Sequence, residues 1–164
     1  MKLGIVGKGF VGSAVSHGFS VDTEQVIVDP KFTDHKLEDL ADTEIVFVCV
    51  PTPQQDTHLD VDTSIARSVL QELNKLEYKG VVVVKSTITP HHLKQFKTLY
   101  NKLRLVYNPE FLTEANSLQD FINPNMQILG GELHDCIEVE QAYIHYSKVK
   151  IVPTFKTDLT SASL

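Results

Sequence analysis

Short apolar runs alternate along this chain with longer segments in which apolar residues recur at helical spacing. The runs fall at 2–6, 25–28, 45–50, 80–85, 104–107, 126–130 and 149–152 and are predicted to be strands. Val81-Val82-Val83-Val84 is β-branched throughout and too short for a typical helix, which suits a strand buried on both faces of a parallel sheet. The intervening segments Val11–Phe19, Asp62–Leu76, Pro90–Leu103 and Leu133–Tyr146 are predicted to be crossover helices. In the second of them Ile65, Val69, Leu70, Leu73 and Leu76 form an apolar stripe, and Thr89-Pro90 suits the cap and first turn of the third. Strands alternating with helices predict an α/β fold, a doubly wound and mainly parallel sheet with helices on both faces. Residues 1–155 are expected to make one such domain. The stretch 156–164, opening on Thr157 as a cap, is expected to begin a connecting helix that the chain cuts off.

Composition narrows the classes. The formal net charge is −6, and no basic run interleaves with aromatics, so nucleic acid is not an expected partner. No apolar stretch approaches the ~18 residues of a membrane span, and the N-terminus does not read as a signal peptide. Cys49 and Cys136 lack metal or redox spacing, which fits a reducing, cytoplasmic compartment. The histidines are scattered and predict no metal site. Cys49 sits in an apolar run without a neighbouring His or Lys, and Cys136 lies next to Asp135, so both thiols are expected to be inert.

The first strand leads into Gly7-Lys8-Gly9-Phe10-Val11-Gly12, and Asp29 ends the second strand 17 positions beyond Gly12. Glycines at this spacing, between a strand and a helix, let the backbone approach a pyrophosphate and the helix pack closely. The helix N-terminus offers unpaired N–H groups to the phosphates. Asp29 can accept hydrogen bonds from a ribose 2′-hydroxyl, and its charge would repel a 2′-phosphate. The loop therefore predicts NAD as cofactor.

In a doubly wound sheet, ligands bind beyond the C-terminal ends of the strands. Three consecutive strand ends here carry stiff polar segments: Pro51-Thr52-Pro53, Ser86-Thr87, and Asn108-Pro109-Glu110-Phe111-Leu112-Thr113-Glu114. Asn108 and Pro109 suit an N-cap and first helical residue, which would put Glu110 and Glu114 on one helical face. Such a pair could accept a proton and bind a hydroxyl near a substrate. It could equally be an acidic helix start favoured by the dipole.

These segments, in this order, with Lys85-Ser86-Thr87-Ile88, Asp120-Phe121, Pro124 and Ile128-Leu129-Gly130, resemble the N-terminal domain of the UDP-glucose/GDP-mannose dehydrogenases. That family oxidises the C6 alcohol of a nucleotide sugar to a carboxylate, reducing two NAD⁺. The resemblance implies a nucleotide-sugar substrate, with UDP-glucose expected. It implies that Gly7, Gly9, Phe10, Val11, Gly12, Asp29, Pro51, Thr52, Thr87 and Glu114 contact NAD. Glu110, Phe111, Leu112 and Glu114 would line the sugar site, and Thr87 and Glu110 would position water or relay a proton.

The chain departs from the family pattern in three places. It has no Gly-x-Cys-Phe-Pro-Lys-Asp-like motif for the cysteine nucleophile, so alone it is expected to be inactive. The stretch from Asp29 to Pro51 is short for the family, and Asn125-Met126-Gln127 replaces an Arg often found after the matched proline. In the family, dimerisation depends largely on a central helix that barely begins here, so a homodimer is expected only of a longer parent protein. Two other readings stay open: the cofactor domain of another β-hydroxyacid dehydrogenase, and a stand-alone, non-catalytic NAD-binding module.

Overall fold

Alternation within the apolar runs sends successive side chains to opposite faces of a sheet, and both faces of this sheet are covered. The computed structural model describes residues 1–55 and 60–163. Its strands are β1 (Lys2–Val6), β2 (Glu24–Val28), β3 (Ile45–Val48), β4 (Val81–Val84), β5 (Arg104–Tyr107), β6 (Gln127–Gly131) and β7 (Thr154–Thr157). The helices are α1 (Phe10–Gly18), α2 (Ser64–Lys75), α3 (Pro90–Leu99), α4 (Ser117–Ile122) and α5 (Leu133–Tyr146).

The seven strands form one sheet in the order β2-β1-β3-β4-β5-β6-β7, parallel except where β5 meets β6. The valine run shows why both faces are apolar. Val82 and Val84 pack with Ala66, Val69, Leu70 and Leu73 of α2 and with Leu93 and Phe96 of α3. Val81 and Val83 pack on the other side with Ala14 and Val15 of α1, Phe121 of α4, and Cys136, Val139 and Tyr143 of α5. The predicted doubly wound α/β architecture is therefore observed. The strand order reverses between β1 and β3, which opens a crevice at their C-terminal ends.

The expected stripe on α2 holds at its centre, where Val69, Leu70 and Leu73 are buried. Ile65 and Leu76, at its ends, are exposed, and Ala66 takes the core position in the first turn. Thr89 precedes α3 as expected, with Pro90 in the first turn, but its hydroxyl donates to Asp60 Oδ1 (3.4 Å) and does not cap the helix.

Three further expectations are corrected. The apolar run 149–152 is not a strand. Lys148 N–H donates to Gly18 O (2.7 Å) and Lys150 N–H to Ile122 O (2.8 Å), so this segment is strapped across the ends of α1 and α4. Pro153 lacks an N–H, and pairing with β6 begins only at Thr154.

Thr157 caps no helix, because it is the last residue of β7. Asp158 takes the capping part, its Oδ1 accepting the N–H groups of Thr160 (3.0 Å) and Ser161 (2.9 Å) ahead of a short 3-10 turn, Ser161–Ser163.

Residues 108–113 are not helical either, so Glu110 and Glu114 share no helical face. The backbone donors that a helix would use go to side chains instead. Leu112 N–H donates to Glu110 Oε2 (3.1 Å), and Thr113 N–H donates to Asp120 Oδ2 (2.9 Å). Helical structure starts at Glu114 with a 3-10 turn, Glu114–Asn116, and continues as α4.

Candidate functional site

Each glycine of the first loop solves a different steric problem. Gly7 has φ +91°, and a Cβ there would lie 2.7 Å from Cys49 O. A Cβ on Gly12 would lie 1.9 Å from Gly7 O, so only glycine lets α1 pack onto the loop. Gly9 has nothing within 4 Å of its Cβ position, which leaves open space above the loop for a ligand. α1 begins at Phe10, and its first-turn N–H groups lack intrahelical partners.

Asp29 follows β2 beside this loop. Its Oδ2 accepts Lys8 N–H (2.7 Å) and its Oδ1 accepts Lys31 N–H (2.9 Å), while Gly7 N–H donates to Val28 O (2.9 Å). These bonds tie the two loops together and aim the carboxylate. Each of its oxygens keeps a further acceptor site.

Opposite, Thr52 Oγ1 donates to Thr87 O (2.9 Å) and Ser86 Oγ donates to Val50 O (2.7 Å), joining the ends of β3 and β4. Between these walls lies a cleft of about 860 Å³. Gly7, Gly9, Phe10, Val11, Asp29, Pro51, Thr52, Thr87 and Glu110 all line it. A cleft this large, with open backbone over a helix N-terminus and a carboxylate at the next strand end, fits a dinucleotide.

A second cavity of about 330 Å³ is lined by Pro109, Glu110, Phe111, Leu112, Thr113 and Asp120, among others. Glu110 and Lys85 line both cavities and so stand where they meet. Burial raises the Glu110 carboxyl above its ordinary range, opposed by the Leu112 N–H and the Lys85 charge. Glu114 is exposed and is not among the lining residues of either cavity.

Sequence reasoning gave no role in the site to Lys85 and cast Asn108 as a helix cap, yet the two form the buried floor of the site. Asn108 Oδ1 accepts from Lys85 Nζ (2.9 Å) and from the Tyr143 hydroxyl (2.6 Å). Its Nδ2 donates to Gln127 Oε1 (3.1 Å) and Ile128 O (2.9 Å), which satisfies the side chain completely. The available signal was a lysine directly after four valines, since a charge at the end of a fully buried strand needs a reason.

Cys49 lines the cofactor cleft, yet burial pushes its thiol up to about 12, with Glu110 adding to the rise. Burial, then Asp135, raises Cys136 to about 11. Neither is a nucleophile at neutral pH. Ellman's reagent at pH 8 is expected to label neither thiol in the native chain and both on denaturation, and rapid native labelling of Cys49 would contradict this burial.

Residues 29–147 match the sequence model of the UDP-glucose/GDP-mannose dehydrogenase family, NAD binding domain. The chain belongs to this family, and the part that matches is its NAD-binding domain. It is 35% identical to an uncharacterized protein of Methanocaldococcus jannaschii, over 76% of this chain and 15% of that protein. It is 24% identical to the UDP-glucose 6-dehydrogenase of Campylobacter jejuni, over 80% of this chain and 42% of that one. The fold superposes on a UDP-glucose dehydrogenase from Pyrobaculum islandicum with a TM-score of 0.82 at 18% identity, over 99% of this chain and 47% of that one. The chain thus spans less than half the length of each of these relatives. Among the described residues no helix is long and apolar enough to cross a membrane.

Proposed function

We propose that the chain is the cofactor half of a nucleotide-sugar 6-dehydrogenase acting on UDP-glucose or a closely related sugar nucleotide. The observation that carries this reading is the pair of cavities meeting at Glu110, one fitting a dinucleotide and the other lined by the Glu110-Phe111-Leu112 turn. Gly7, Gly9 and the first turn of α1, with Phe10 and Val11, hold the pyrophosphate. Asp29 takes the ribose hydroxyls, and Pro51, Thr52 and Thr87 form the edge along the nicotinamide side. Bound NAD⁺ supplies the hydride acceptor.

Glu110 then faces the sugar's C6 hydroxyl, where a carboxylate accepts a proton or orients a water, with the exposed Thr87 hydroxyl beside it. Phe111, 68% exposed, and Leu112 give the sugar an apolar wall. Oxidation on to the acid needs a reactive thiol, and neither Cys49 nor Cys136 has the environment of one. The chain alone is therefore expected to bind both ligands without completing the four-electron oxidation to the acid.

Saturation-transfer NMR of UDP-glucose and GDP-mannose on the NAD⁺-loaded chain tests this. Contacts strongest at the sugar protons, weakened by Glu110→Gln, support the reading. A chain that binds NAD⁺ and no nucleotide sugar would instead be a non-catalytic NAD-binding module.

A further inference from the structure

Lys85 ends the β4 run at the wall shared by the two cavities and is 2% exposed. Removing an ammonium from water is costly unless a counter-charge offsets it. Among the described residues, no carboxylate lies within ion-pair distance of it. Both of its hydrogen bonds end on Asn108, at the main-chain carbonyl (3.2 Å) and at Oδ1 (2.9 Å). Asn108 is 0% exposed, and its carbonyl begins the turn through Pro109 to Glu110. The ring of Phe121 lies 5.6 Å from the ammonium and adds a weaker attraction.

A methionine of similar length would fill the same space without any desolvation, so what this position retains is charge. Among the described residues, Lys85 is the one basic and Glu110 the one acidic side chain lining both cavities. We propose that Lys85 is the positioning residue of this site: it anchors the turn that carries Glu110, and its positive charge keeps Glu110 ionised when ligands fill the cavities on either side.

The proposal rests on the reading of Glu110 as the carboxylate of the sugar site. Burial already favours the protonated form of Glu110, and ligands that displace water from both cavities push it further that way. The other titratable groups around it cannot oppose this. Cys49 at the end of β3, Tyr107 on β5 and Tyr143 on α5 are all held neutral by burial. Asp120 of α4, kept ionised by the Thr113 hydroxyl and N–H, adds negative charge to the same cavity. Lys85 itself is lowered to about 8, chiefly by burial, so its support for the Glu110 carboxylate fades as pH rises through that value.

The test is a carboxyl-carbon NMR titration of the chain, with the Glu110 signal assigned through Glu110→Gln. In Lys85→Met the Glu110 midpoint is expected to rise by about one pH unit, about tenfold in the protonation equilibrium. Lys85→Arg is expected to keep it near the native value. Lys85→Gln serves in place of Lys85→Met should that variant not fold. An unchanged midpoint in a folded neutral variant overturns the proposal. So does a shift that Lys85→Arg fails to prevent, because packing and not charge would then be responsible. The titration uses neither cofactor nor sugar, so its failure and the failure of the sugar-binding experiment are separate results.

Discussion

Gly12→Ala is expected to destabilise the fold by about 3 kcal/mol or more, a drop of roughly 10 °C in Tm. The added Cβ would sit 1.9 Å from the Gly7 carbonyl oxygen, and that atom cannot move freely. Gly7 N–H is bonded to Val28 O, and the Gly7 backbone packs against that of Cys49. Either α1 lifts from the sheet, losing the packing of Ala14 and Val15 in the core, or the loop deforms. Gly9→Ala provides the contrast. Nothing lies within 4 Å of its Cβ position, so its melting temperature should stay within about 2 °C of native. Its NAD⁺ affinity should nevertheless fall if the pyrophosphate binds as proposed, because the methyl group enters the open space above the loop. Thermal melts and calorimetric NAD⁺ titrations on both variants separate the two roles. Equal stability for Gly12→Ala and the native chain would contradict the loop geometry.

Asp29→Ala is expected to weaken NAD⁺ binding by about 30-fold, the loss of roughly 2 kcal/mol for hydrogen bonds to a charged acceptor. It should also narrow the preference for NAD⁺ over NADP⁺, since the charge that repels a 2′-phosphate is gone. Part of the loss will be indirect, because the carboxylate also holds the N–H groups of Lys8 and Lys31. Asp29→Asn keeps an acceptor oxygen while removing the charge, so it should retain more NAD⁺ affinity than Asp29→Ala yet show a similarly narrowed preference. Undiminished NAD⁺ affinity in Asp29→Ala would remove this residue from the ribose site.

The glycine-loop side of the cleft was readable in the chain because its parts are local. A strand, a glycine loop and a helix start lie within the first eighteen residues, and Asp29 ends the very next strand. Steric constraints on neighbouring residues leave a signature that survives without tertiary information. The Glu110 side of the site was read less well because a helix was inferred there from Asn108 and Pro109, two residues with the right local habits. Asn108 is instead occupied by partners far along the chain, Lys85, Tyr143, Gln127 and Ile128. A side chain engaged at long range cannot cap the turn that follows it. The same cause undid the strand at 149–152, where long-range bonds to the ends of α1 and α4 outweighed a local apolar pattern.

The sequence by itself therefore determined the alternation of strands and helices, the two apolar faces of the sheet, the strand–glycine loop–helix unit with Asp29 at the next strand end, and the family. These follow from residue periodicity and from steric rules that act between near neighbours. Only the tertiary structure decided that Glu110 stands apart from Glu114, that it shares the junction of two cavities with Lys85, and that Asn108 is the buried node beneath both. Those relations join the ends of β4 and β5 to α5 and β6, and hydrogen bonding and desolvation act there between residues whose proximity exists only once the sheet has formed.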